Sequence, residues 1–204
     1  GSEPTARCLI QVTPDAQRTM NTHLGISSHL STADVDADLV ASASHLYCEG
    51  YLWDTEEAKA AIRHAMDLAR AAGRTGSLTL SDGFCVVFGN AEEICSLFEV
   101  DDLDRAIQAL SSEVGLAFVT LGGRGSLVVQ GSDRIPVVAD ELHAVVDTTG
   151  AGDLYAAGVL YGLSQGAALD HAARLGSIAA AEVISHLGAR PEMDLVAVAR
   201  SILG

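Results

Sequence analysis

The stretch Asp147-Thr148-Thr149-Gly150-Ala151-Gly152-Asp153 carries the residue types from which a group-transfer site can be built. An apolar run before it (Ala144, Val145, Val146) predicts a strand, the glycines predict a turn, and a helix is expected to open at Ala151. The first N–H groups of a helix lack partners inside it and carry partial positive charge, so an anion is held well there. Asp153 adds something that a plain phosphate cradle does not need. Moving a phosphoryl group onto an alcohol requires stabilisation of the transferring charge and a base for the attacking hydroxyl, and the glycine turn with Asp153 supplies both. The stretch points to phosphoryl transfer onto a small alcohol. A tight turn followed by an acid that complements the helix dipole would look the same, so the motif alone leaves both readings open.

Two further stretches carry related chemistry. Asn90 and Glu93, three residues apart, share a helical face at the end of the apolar run Val86-Val87-Phe88-Gly89. An amide and a carboxylate suit a hydrated magnesium ion, and Glu92 competes with Glu93 for that role. Asn as N-cap with Glu at the third helical position is also an ordinary capping pair. Thr120-Leu121-Gly122-Gly123-Arg124-Gly125-Ser126 links two apolar runs, and its glycines let the backbone approach a nucleotide closely. The same turn serves any hairpin, and Arg124 is given no role. Arg18, just after the turn Pro14-Asp15, either reaches a substrate or is a surface arginine on a hairpin. Glu49 either touches substrate at the end of a strand or is a solvated strand end.

Composition excludes several alternatives. Lys59 is the only lysine, so neither a Walker A loop nor the strand lysine of a protein kinase is available. Tyr155 stands where a dinucleotide-binding glycine motif would need Gly or Ala. Any phosphate is therefore left to backbone N–H groups, magnesium and arginine. The net charge of −15 disfavours nucleic acid and anionic membrane as partners. No apolar run approaches the ~20 residues of a membrane span, and with no charged-then-apolar stretch at residue 1 a signal peptide is not expected. Cys8, Cys48, Cys85 and Cys95 are scattered, which fits reduced thiols in a cytoplasmic protein better than a zinc site or a disulfide framework. The 7 histidines form no ligand pattern. With 204 residues, 49% of them hydrophobic, one sizeable core and a single main domain are expected.

DTTGAGD at 147–153 resembles the signature of the ribokinase-like sugar and nucleoside kinases, the phosphofructokinase B type family. The resemblance runs from Arg7 almost to the C-terminus, and VTPDAQRTMNTHLG (12–25) and EGYLWD (49–54) are most similar to bacterial members identified as adenosine or sugar kinases. It implies a ribokinase-like fold, a three-layer α/β/α arrangement on a mainly parallel sheet plus a remnant of the family's β lid, with 7–24 expected in the sheet next to that lid. It implies Asp153 as catalytic base, with Gly150, Ala151 and Gly152 as anion hole. Asn90 and Glu93 match the family's N-x-x-E motif for magnesium and phosphate, and Thr120, Gly122 and Gly125 match its nucleotide loop. Gly188 and Ala189 match a position near the adenine and a monovalent-cation site. The implied cofactors are ATP and Mg2+, with K+ as a further candidate. The implied acceptor is a nucleoside or sugar, adenosine first and ribose or fructose second, and a homodimer is compatible.

The resemblance covers only the family's C-terminal two-thirds, so the substrate pocket is expected to be incomplete within these residues. The alternative is an inactive nucleotide-binding or oligomerisation fragment. A second gap is expected inside the chain. The strand predicted at 77–81 is separated from the one at Val86 only by Asp82 to Cys85, whereas parallel neighbours need a crossover of about a dozen residues or more. Either the two pair antiparallel or a segment between Cys85 and Val86 is missing.

The remaining elements follow from periodicity and caps. Strands are expected at 7–13, 19–24, 45–49, 116–121, 126–130 and 134–138, the last ended by Pro136 with Asp140 and Glu141. A helix is expected from Ser31-Thr32 through Val35, Leu39 and Val40. Another is expected over 55–72, capped by Asp54 and stopped by Gly73, with Ala58, Ile62, Ala65, Met66 and Ala69 as its apolar stripe. Further helices start at Asn90 and at Asp101-Asp102 and run over 151–165, 169–186 and about 192–203. Ala156, Ala157, Gly158 and Gly162 are expected to let helix 151–165 pack closely on the sheet.

Overall fold

The computed structural model describes residues 3–50, 53, 55–78, 86–140 and 144–203. The chain forms two compact units, Gly1–Gln11 with Thr19–Val87, and Val12–Arg18 with Phe88–Gly204.

Strands β1 (Arg7–Val12) and β2 (Arg18–His23) form a two-stranded sheet, so the expected hairpin is present. Its tip closes through Thr13 N–H to Gln17 O and Ala16 N–H to Thr13 O, both at 2.9 Å. The helix expected from Ser31 divides in two. A 3-10 turn spans Thr32–Asp34, and α1 covers Ala37–Ser42. Asp34, at the end of the 3-10 turn, accepts from the N–H of its N-cap Ser31, whereas Asp36 caps α1 by accepting from Leu39 N–H, and the backbone at Val35 and Asp36 stays extended.

Strand β3 (His45–Cys48) precedes α2 (Glu56–Ala71), whose expected apolar stripe is buried. Its N-cap is Thr55, whose hydroxyl accepts from Ala58 N–H at 3.2 Å, while Asp54 lies outside the described residues. The helix stops at Gly73 (φ +67), and Arg74 N–H reaches back to Ala69 O at 2.8 Å. Lys59 pairs with Glu56 at 2.8 Å along this helix, far in type from a phosphate-binding lysine.

Strands β4 (Thr75–Leu78) and β5 (Val86–Asn90) pair parallel, with Ser77 opposite Val86, and β3 pairs parallel with β4. The antiparallel option is thereby overturned. The link, residues 79–85, lies outside the described residues, and so does Cys85, where the missing segment is expected to begin.

Within the first unit the sheet neighbours run β3-β4-β5. In the second unit, α3 (Ala91–Leu97) and α4 (Leu103–Glu113) lead to β6 (Ala117–Thr120), β7 (Ser126–Gln130) and β8 (Asp133–Val137). These last three strands pair antiparallel. Pro136 lies inside β8 opposite Leu127 rather than ending it, a position an edge strand tolerates because its outer side needs no N–H. Phe118, Ile94, Leu110, Val119 and Val128 are fully buried, each worth about 1.5–3 kcal/mol of burial.

Residues 144–148 form no strand, contrary to expectation. Val146 N–H bonds to Ile184 O at 2.8 Å instead of to a ladder, and Val145 and Val146 remain 46% and 37% exposed. Helices α5 (Ala151–Ser164), α6 (Leu169–Val183) and α7 (Leu195–Leu203) complete the unit. The small residues of α5 serve a helix rather than the sheet: a Cβ on Gly158 would lie 2.8 Å from Gly176 Cα of α6. Cys8, Cys48 and Cys95 are free thiols, and no helix of the described residues is long and apolar enough to cross a membrane.

Candidate active site

The site is built around Asp147, which is 3% exposed. Its Oδ1 accepts from Thr149 N–H at 2.9 Å and from the Thr149 hydroxyl at 2.6 Å, a local Asx-type turn. Its Oδ2 accepts from Gly188 N–H at 3.0 Å. The Thr149 hydroxyl is the largest cause that holds the Asp147 carboxyl below the usual range; the Gly188 and Thr149 N–H groups and the Arg18 charge act the same way, and burial opposes them. Asp147 is thus a fixed anion that anchors the turn.

Gly150 caps α5 in the left-handed region (φ +83, ψ 0) without a side-chain cap. A Cβ there would lie 2.8 Å from Ala189 Cβ, so both backbone angle and space require glycine. Leu154 N–H donates to Gly150 O at 2.9 Å and starts the helix. The N–H groups of Gly152 and Asp153 fall in the first turn, where the helix supplies no acceptor. A Cβ on Gly152 would meet nothing within 4 Å, so that turn faces open space. Asp153 is exposed beside it. An anion therefore has donors, a helix dipole and room, with a carboxylate at the rim.

The hairpin tip also reaches this turn. Arg18 donates to the Thr148 hydroxyl at 2.5 Å, across 130 residues of sequence. Arg18 is exposed on the hairpin and its guanidinium adds positive charge beside the turn.

The structure thus groups Gly150, Ala151, Gly152 and Asp153 with Gly188, Ala189 and Arg18. The other candidates stand in their own local structures. Asn90 caps α3 in a reciprocal pair, with Glu93 N–H to Asn90 Oδ1 at 2.9 Å and Asn90 N–H to Glu93 Oε2 at 2.8 Å. Glu93 Oε1 takes no part in that cap. Glu92 lies outside the pair and lines, with Cys95 and Glu99, a shallow depression of about 570 Å³ over α3. Thr120 ends β6 opposite Ser126, and the turn closes with Leu121 N–H to Gly125 O at 2.8 Å, with Gly122 and Gly125 at φ +60 and +95. Among the described residues no three His, Cys, Asp or Glu side chains group around a metal position. One or two carboxylates with substrate phosphates are the usual way a protein holds magnesium.

Comparison with known proteins decides the family. The sequence pattern of the pfkB family carbohydrate kinases matches residues 1–195. The chain belongs to this family. An adenosine kinase from Sinorhizobium meliloti is 44% identical with a TM-score of 0.92, the alignment covering 97% of this chain and 66% of that one. An "uncharacterized sugar kinase" of Archaeoglobus fulgidus is 39% identical over 101 residues, 50% of this chain and 40% of that protein. A cytidine kinase of Thermococcus kodakarensis is 35% identical over 105 residues, 50% of this chain and 38% of that protein. This pfkB chain therefore spans about two-fifths of the length of these curated relatives. Its architecture is the ribokinase-like α/β fold.

Asp147 and Thr149 received no role of their own from the sequence, although the Asp-x-Thr spacing is the signal for the local turn. The bond from Gly188 has no local signal, because 41 residues separate it from Asp147.

Proposed function

We propose that this chain carries the phosphoryl-transfer site of an ATP- and magnesium-dependent kinase that phosphorylates a primary hydroxyl of a nucleoside or sugar, with adenosine as the first acceptor. The observation that carries the reading is the Gly150 cap, left-handed and free of side-chain occupation, with Asp153 exposed in the same first turn. Family membership and the identity to an adenosine kinase support it.

In this reading Asp153 takes the proton of the acceptor hydroxyl as its oxygen forms a bond to the γ-phosphorus, the bond to the ADP oxygen breaks, and ADP leaves with that electron pair. The N–H groups of Gly152 and Asp153 and the start of α5, shaped by Gly150 and Ala151, hold the charge on the phosphoryl oxygens. Arg18 and Thr148 border the same turn, and Arg18 contributes a further positive charge. When bound, MgATP supplies the γ-phosphoryl group with its charge already partly neutralised. Glu93 Oε1, free of the helix cap, and Asn90 are the residues that would organise the ion, and the 120–125 turn with Gly188 and Ala189 would hold the nucleotide. Such a kinase draws on the cytoplasmic nucleotide pool.

A sugar such as ribose or fructose is the second acceptor class, favoured by the likeness to the Archaeoglobus protein. The test is ATP consumption with magnesium against adenosine, ribose and fructose, in the wild-type protein and in Asp153→Asn.

A further inference from the structure

The loop between α6 and α7 walls the site, and most of it has little apolar packing of its own. Leu187 and Met193 are 70% and 54% exposed, and residues 187–194 are exposed throughout. Yet it places Gly188 N–H on Asp147 and Ala189 against Gly150, two contacts that need the loop in one position. Polar tethers must supply what burial does not.

One tether stands out. Glu182, on the last turn of α6, has a side chain 8% exposed. Its Oε1 accepts from Glu192 N–H at 2.7 Å and Met193 N–H at 2.9 Å, drawing the far end of the loop back to the helix that starts it. The short distances are those of charge-assisted bonds. His186 Nε2 lies 3.4 Å from the same oxygen, and the exposed Glu192 carboxylate lies 4.0 Å from His186 Nδ1. A buried carboxylate is costly without partners, so its place here calls for a job.

We propose that Glu182 is a positioning residue for phosphoryl transfer: by clamping the base of the α6–α7 loop it holds Gly188 on Asp147 and so keeps the Gly150 turn in register. The proposal rests on the kinase reading for its effect on rate, but not for its effect on the loop. Glu182 touches neither phosphate nor acceptor and acts only through the loop.

The experiment compares Glu182→Ala with Glu182→Gln. A glutamine oxygen in the place of Oε1 can accept both loop N–H groups, with the amide replacing Oε2, which has no hydrogen-bond partner, so the tether survives. In Glu182→Ala the Gly188 amide is expected to exchange with solvent about tenfold faster or more, and in Glu182→Gln at the wild-type rate. With the folded fraction matched by circular dichroism, kcat of Glu182→Ala should fall about 10- to 100-fold, as small misplacements of a reacting group do, with KM for ATP little changed. Glu182→Gln should keep kcat within about threefold, an order of magnitude less than such a misplacement costs. Unchanged Gly188 exchange in Glu182→Ala overturns the proposal, and so does a lower unfolding midpoint with normal kcat, which marks a merely structural residue. If the alanine variant does not fold, faster Gly188 exchange in Glu182→Asp, whose carboxylate is one carbon short, supports the clamp, and wild-type exchange there overturns it. Absence of turnover in the wild type would sink the kinase reading alone, because amide exchange still decides the tether.

Discussion

The main-chain N–H of Gly188 donates to Oδ2 of Asp147 at 3.0 Å, which ties the α6–α7 loop to the turn that opens α5. With Thr149 on the other carboxylate oxygen, Asp147 is surrounded by donors and nearly sealed from water. Its charge is a structural requirement of the turn.

A pH dependence follows from the sign of its shift. Because the folded value lies below the unfolded one, near 3.9, the stabilisation from Asp147 is fully present above about pH 4 and is lost as pH falls through the folded value. Asp147→Asn leaves one donor facing an amide N–H and should cost about 1–3 kcal/mol at neutral pH. Urea unfolding of both proteins between pH 2 and 7 checks this. The gap between them should close below about pH 4, and a gap that widens on acidification would contradict the assignment.

Gly150→Ala meets two obstacles, the left-handed backbone angle and a contact of 2.8 Å with Ala189 Cβ. The expected cost is about 1–3 kcal/mol in stability, with a larger loss in turnover because the first-turn N–H groups move. Denaturant unfolding and initial rates measured together separate the two effects. Turnover reduced only in proportion to the folded fraction would argue against a catalytic turn.

Glu93 has two candidate duties, and one substitution divides them. Glutamine can still close the reciprocal cap with Asn90, so Glu93→Gln should leave the thermal midpoint nearly unchanged. Loss of the carboxylate charge should raise the magnesium concentration needed for half-maximal rate by about tenfold, the equivalent of ~1.4 kcal/mol. An unchanged magnesium requirement would leave Glu93 as a cap alone.

Features set by neighbours in sequence were legible before the structure. The stripe of α2, the Asn90 and Asp102 caps and the 121–125 turn each follow from spacing of a few residues. Features set by distant partners were not. The 144–146 run has strand composition, but its Val146 N–H goes to Ile184 O, so no ladder forms. The small residues of α5 signal close packing without naming the partner, which is α6. In the site, the chemistry of Asp153 and the glycines could be read from the motif, whereas Arg18 on Thr148 and Gly188 on Asp147 arise only when the chain folds.

The central claim is tested most directly by magnesium-dependent transfer of the ATP γ-phosphoryl group to adenosine, ribose or fructose, with product phosphate located by mass spectrometry. One nucleoside or sugar is expected to be phosphorylated on a primary hydroxyl, adenosine before the others. Asp153→Asn is expected to lose at least about 10³-fold in kcat, within the range removed with a catalytic base, while ATP still binds. Turnover that survives Asp153→Asn, or ATP binding with no transfer to any of these acceptors, would contradict that claim.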